Sequence, residues 1–157
     1  MEDNKFLLED KESIDLQYIV IGIGNEQYGI NIKYIDNIVR MQKITRVPMA
    51  QEYFKGVINL RGEIIPVMSI RRKLELDDDV ITNKTRIIIA KVDNASIGFV
   101  VDEVKEVVTL DANSIERVAT AEAASEITHC ITSIGKKNGE LISLLDLNLV
   151  AGEKEVS

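Results

Sequence analysis

The stretch GVINLRGEIIPV, residues 56–67, sets the terms for the rest of the chain. Two apolar runs, 57–60 and 64–67, flank Arg61-Gly62-Glu63, a pattern that predicts a β-hairpin with an arginine at its tip. An arginine there does nothing for a core. It is either a solvated turn residue or, through its planar fork, an anchor for a partner.

Upstream of this hairpin, QYIVIGIG (17–24) and YGINI (28–32) lie either side of Asn25-Glu26-Gln27 and read as a first hairpin, rich in β-branched residues and covered on at least one face. In the following KYIDNIV, Ile32, Ile35 and Ile38 recur every third residue, the spacing of a short helical edge. Pro48 then breaks the chain, and residues 51–55 are expected to make one helical turn. Downstream, SIRRKLEL (69–76) carries three consecutive basic residues with Ile70 and Leu74 four apart, which predicts a short helix or turn with a solvated basic face. Asp77-Asp78-Asp79 reads as an exposed loop between two halves.

The second half repeats the first. With an offset of 69, Ile19 falls on Ile88, Val20 on Ile89, Asn25 on Asn94, Gly29 on Gly98, Ile35 on Val104 and Ile38 on Val107. With an offset of 77, EIIPVMSI (63–70) falls on ELISLLDL (140–147). One supersecondary unit is therefore used twice. Each copy holds about five short strands and little helix, which favours two small closed β-barrels over one open sheet, because closure removes exposed edges. Asn138-Gly139 predicts a tight final hairpin. Residues 111–127 are expected to be a long excursion with a helical turn, and 145–150 a short helix packed back on the first barrel.

Composition limits the function. The 157 residues suit one domain or two very small ones sharing a core, and 45% hydrophobic with 29% charged residues is a globular balance. No apolar run approaches the ~20 residues of a membrane helix, and the acidic start MEDNKFLLEDKES lacks the features of a secretory signal, so a cytoplasmic location is expected. A formal net charge of −7 and the lack of a basic run interleaved with aromatics argue against nucleic acid. The single cysteine, Cys130, beside the single histidine, His129, makes a poor metal site and reads as a small core residue.

No catalytic constellation is found. Gly22-Ile23-Gly24 precedes a hairpin rather than a helix and lacks a third glycine, no serine sits in a nucleophile elbow, and the carboxylates are scattered. No catalytic residue, cofactor or metal is expected. What stands out is apolar: Ile35, Ile38, Val104 and Val107 sit among polar neighbours such as Asp36, Asn37, Lys105 and Glu106. They either plug the barrel ends or form a patch on which a partner helix docks. Met41, Met49 and Met68 read as gap fillers.

The segments QYIVIGIGNEQYGINI, ITRVP, YFKGVINLRGEIIPV, TRIIIAKVDNASIGFVVDEV and LISLLDL follow the order seen in the CheW family of bacterial chemotaxis coupling proteins, which this chain resembles from about residue 17 to about residue 150. The resemblance implies an all-β fold of two SH3-like five-stranded barrel subdomains with short helices. The expected organisation is a leader over 1–15, subdomain 1 over about 16–80 plus the C-terminal helix, subdomain 2 over about 85–145, and a tail over 151–157. The resemblance also implies a non-catalytic adaptor that joins the histidine kinase CheA, through its regulatory domain, to the cytoplasmic tips of transmembrane chemoreceptors, with recruitment to receptor arrays. Ile35, Asn37, Ile38, Arg61, Val104 and Val107 match receptor-contacting positions. The kinase-binding face is expected at Ile64, Pro66 and Met68 and near Arg86. Where many relatives carry Asp in the PVIDL stretch this chain has Ser69, which bears on local capping, while the second copy keeps Asp146. Adaptor duty in another CheA-type pathway, such as twitching motility, or a small-ligand-binding β-barrel are the alternative readings.

Overall fold

The computed structural model describes residues 16–117 and 130–152. The expected leader, most of the 111–127 excursion, His129 and residues 153–157 lie outside the described residues. Among these residues the chain forms eleven strands and two short helices. The first copy supplies β1 (Gln17–Ile23), β2 (Glu26–Asn31), β3 (Ile35–Arg40), β4 (Phe54–Leu60), β5 (Glu63–Ser69) and α1 (Ile70–Lys73). The second supplies β6 (Arg86–Val92), β7 (Ala95–Val101), β8 (Glu103–Thr109), β9 (Ile115–Arg117), β10 (Ile131–Lys137), β11 (Glu140–Leu145) and α2 (Leu147–Ala151).

The repeat extends to irregularities in the strands. Asp36 is the extra residue of a bulge in β3 paired with β6, and Lys105, at the equivalent place, is the extra residue of β8 paired with β1. Lys55 in β4 and Thr132 in β10 form a second equivalent pair of bulges. The first of these overturns the helical reading of KYIDNIV. Only Ile32–Tyr34 forms a 3-10 turn, and Ile35 and Ile38 lie on a strand. Three residues apart on a regular strand they would face opposite ways. The bulge restores them to one face, so a three-residue period arises without a helix.

The two sheets do not coincide with the two copies. One has the order β8-β1-β2-β11-β10-β9 and the other β3-β6-β7-β5-β4. Each hairpin that opens a copy, β1–β2 or β6–β7, is inserted between strands of the other copy. Each sheet therefore holds strands from both sides of the 77–79 loop. The chain crosses between sheets at the 3-10 turn 32–34 and, in the second copy, at Asp102. The strand orders are open, but each edge is approached by the chain running on from its opposite edge. β8 continues to β9, and beyond β3 Thr45 exchanges two backbone hydrogen bonds with Val57 of β4, at 2.8 and 2.9 Å. Gly56 makes that approach feasible, since a Cβ there would lie 2.1 Å from the Thr45 carbonyl oxygen.

Three apolar clusters follow from the swap. Ile58, Ile65, Val67, Ile87, Ile89 and Val100 fill the inside of the five-stranded sheet, while Tyr18, Val20, Val108, Leu110, Ile142 and Leu144 fill the six-stranded one. Alternate residues of the same strands, including Ile19, Ile21, Ile88, Ala90 and Phe99, join Leu147 and Val150 of α2 in a third cluster shared by both sheets. β1 and β6 are thus buried on both faces, which is why their sequences are near-continuous apolar runs rather than alternating ones. The result is an all-β chain of two SH3-like units around a common core.

Candidate interaction surfaces

Strands β3 and β8 are the edges of their sheets, each paired on one side only, with β6 and β1 respectively. Ile35, Ile38 and Val104 are partly buried and pack against the shared cluster, so they line its rim rather than plug either barrel. Val107, opposite Ile19, occupies the place in β8 that Ile38 holds in β3, yet it is 56% exposed. The Asn37 side-chain oxygen accepts a hydrogen bond from the Ile38 N–H at 2.8 Å, inside the bulge. Three of the expected receptor-contacting residues, Ile35, Ile38 and Val104, thus belong to the rim of one apolar cluster, with Asn37 between two of them and Val107 exposed on β8.

Arg61 stands elsewhere in the topology, at the exposed tip between β4 and β5, strands that neighbour neither β3 nor β8. Its φ is +55° and that of Gly62 is +85°, the signature of a type I′ turn, and Gly62 N–H donates to the Asn59 side chain at 2.9 Å. The same turn recurs at Asn138-Gly139, with φ of +53° and +81°.

Of the residues expected on a kinase face, Ile64, Pro66 and Met68 alternate along β5 and share one side of it. Met68 packs on the shared cluster, Pro66 is half-buried and Ile64 is 60% exposed. Arg86 does not join them. It begins β6, two strands away, opposite Arg40 and Val101. The residue missed by sequence reasoning is Leu141, the counterpart of Ile64 in the second copy and also 60% exposed. The match of EIIPVMSI with ELISLLDL already placed the two in register, and that was the available signal.

The basic run after β5 is paired rather than solvated. Arg71 grips Asp102 through two hydrogen bonds, Nε to Oδ1 at 2.9 Å and Nη2 to Oδ2 at 2.7 Å, and Gly24 N–H donates to the same carboxylate at 2.8 Å. Arg71 therefore holds the Asp102 carboxyl below the ordinary carboxylate range, against a partial burial that would raise it. Arg72 pairs with Glu52 at 2.7 Å, and the Lys73 ammonium lies 4.0 Å from the Tyr53 ring centre and donates to the Gly152 carbonyl. Lys55 binds Asp78 at 2.8 Å and holds that carboxyl low as well. Ser69 resolves the capping question: its hydroxyl accepts from Arg72 N–H at 3.1 Å, as the Asp146 carboxylate accepts from Asn148 N–H at 2.9 Å.

Cys130 is buried, and among the described residues no group of three His, Cys, Asp or Glu is placed to hold a metal. A polar cleft lined by Tyr18, Asn31, Lys33, Tyr34, Thr132 and Ser133 has a volume of about 150 Å³, well under the ~300–1,000 Å³ of small-molecule sites. Among the described residues no helix is long and apolar enough to cross a membrane.

The surfaces described above are apolar rims and turns. A family model described as the CheW-like domain matches residues 17–155. The chain belongs to the CheW family. It is 36% identical over 139 residues to the chemotaxis protein CheW of Bacillus subtilis (strain 168), covering 88% of each chain. With the chemotaxis protein CheW of Helicobacter pylori (strain ATCC 700392 / 26695) it shares 34% identity over 137 residues, 87% of this chain and 81% of that one. The crystal structure of scaffolding protein TtCheW from Thermoanaerobacter tengcongensis superposes with a TM-score of 0.81 at 28% identity, covering 91% of this chain and 99% of that one. The CheW match takes in both copies of the repeat, including KGVINLRG in β4 and its turn and VDEV at the second crossing between sheets.

Proposed function

We propose that the protein couples a CheA-type histidine kinase to the cytoplasmic tips of transmembrane chemoreceptors. Membership of the CheW family makes it a non-catalytic scaffold in chemotaxis. The finer reading has a receptor helix docking along Ile35, Asn37, Ile38, Val104 and Val107, with Arg61 as a further contact. The kinase's regulatory domain takes the β5 side marked by Ile64, Pro66 and Met68. The protein then acts in the cytoplasm and is recruited to receptor arrays. The observation that carries this reading is the apolar rim at two equivalent sheet edges: large β-branched residues partly or largely uncovered among polar neighbours, where a helix's apolar stripe would complete their burial.

The test is co-elution with the kinase regulatory domain and with a receptor tip fragment at ~50 μM, where a complex of ~10 μM dissociation constant is mostly formed. Retention of neither sinks the coupling role. Arg61→Glu is expected to weaken receptor binding while folding and kinase binding persist. Unchanged receptor binding removes Arg61 from the interface, and loss of the fold makes it structural.

A further inference from the structure

At the end of β3 the cross-strand pair is Arg40 opposite Arg86 of β6. Directly opposed residues of an antiparallel pair project from the same face, and like charges so placed are destabilising. That face is the one bearing Ile38 and Ile88, the pair two positions back in register, which belong to the rim and body of the shared cluster. Arg40 is exposed. Arg86 is half-buried, with Nη1 donating to the backbone carbonyls of Asn83 and Thr85 at 2.9 Å. Among the described residues neither guanidinium has a carboxylate within ion-pair distance. The exposed Lys43 and Lys84 flank the pair in sequence, in a chain whose net charge is −7.

The repeat supplies the control. At the equivalent place in the other sheet, Gln17 stands opposite Thr109, with no charge on either side. The frame does not require cations here, and one sheet carries two, one from each copy.

We infer that Arg40 and Arg86 extend the apolar rim of β3 into a carboxylate-reading end, fitted to an amphipathic helix that carries acidic residues one turn beyond its apolar stripe. The spacing fits. Ile38 and Arg40 lie two residues apart on a strand, ~6.6 Å, and residues four apart on a helix rise ~6 Å, so a helix running along β3 can set an apolar side chain on Ile38 and a carboxylate on the arginines. Arginine forks take carboxylates in bidentate fashion, and the continuous apolar surface beside them favours a protein helix over a lipid headgroup. This assignment rests on the receptor-docking reading above and names the chemistry of that partner at one end of the site.

The experiment uses the full chain and a soluble helical-hairpin fragment of a chemoreceptor cytoplasmic tip from the source organism. Binding is measured for wild type, Arg40→Gln, Arg86→Gln and the double variant at low and high salt, alongside each protein's thermal midpoint. The double variant is expected to bind about tenfold more weakly at low salt, with a flatter salt dependence. Arg40→Gln alone is expected to bind more weakly with a thermal midpoint that stays level or rises, because a repulsion has been removed, whereas the variants at Arg86 also lose its bonds to the Asn83 and Thr85 carbonyls. That pairing of weaker binding with undiminished stability is what a merely structural role would not give. Equal binding and equal salt dependence in wild type and double variant overturn the inference, as does a fall in the stability of Arg40→Gln that parallels its loss of binding. Capture of wild type by anionic phospholipid vesicles, lost in the double variant while fragment binding is unchanged, overturns it in favour of a lipid surface. A wild-type protein that fails to bind the fragment overturns the receptor reading itself, and this assignment with it.

Discussion

Arg61 occupies a left-handed backbone conformation, φ +55°, that a long side chain disfavours. The equivalent turn position holds Asn138, a residue type that tolerates this region through its short polar side chain. Arg61→Asn is therefore expected to raise folding stability by about 0.5–1 kcal/mol and to lower receptor binding. A lowered thermal midpoint would show that the arginine makes contacts the fold depends on. The hairpin around it was legible from the sequence because Gly62 and the flanking apolar runs signal a tight turn. Its significance was not, since an exposed arginine looks the same whether it waits for a partner or for water. Leu141 escaped notice for a related reason: in sequence it is one more apolar strand residue, and which face of β11 is covered decides that it stays 60% exposed while Ile142, on the opposite face, is buried.

Among the elements, the most informative junction is where α1 meets the second crossing between the sheets. Arg71 of α1, Asp102 between β7 and β8, and the Gly24 N–H of the β1–β2 turn converge on one carboxylate. A turn of the six-stranded sheet and the helix that follows a strand of the five-stranded sheet are tied together there, at the point where the chain crosses between them. The Asp102 carboxyl ionises more readily in the folded protein than in the unfolded chain, chiefly because of Arg71. Its contribution is thus fully present above the unfolded-state pKa near ~4 and is lost as pH falls through the lower folded value. Asp102→Asn is expected to cost about 1–2 kcal/mol at neutral pH and to flatten the acid limb of the stability curve below pH ~4. Denaturant titrations at several pH values check this, and an unchanged acid limb would exclude the fork as its source. Sequence reading placed α1 correctly but made its basic face solvated, since the partners of Arg71 and Arg72 come from distant parts of the chain. It also took KYIDNIV for helix, because a bulge at Asp36 gives a strand the three-residue spacing usually credited to a helix edge.

For the molecule as a whole, the exchange of hairpins makes the two halves mutually dependent. A fragment of residues 1–80 would leave β1–β2 without β8 and β11, and β3 without β6. It is expected to lack a cooperative transition, whereas the full chain should unfold in a single step because every sheet contains strands from both copies. Calorimetry and circular dichroism of both decide the matter, and two resolved transitions in the full chain would contradict it. Sequence alone determined most of the strands, the tight hairpin turns, the duplication and the family, because period-two apolar patterns, φ-positive turn residues and self-similarity are local properties readable in order along the chain. Tertiary structure alone decided which hairpin inserts into which copy and which apolar residues remain uncovered. Each hairpin carries nearly the same pattern as its duplicate, so either would satisfy the same edges. The choice is made by how the chain crosses at 32–34 and at Asp102, and by the shared core that those crossings close.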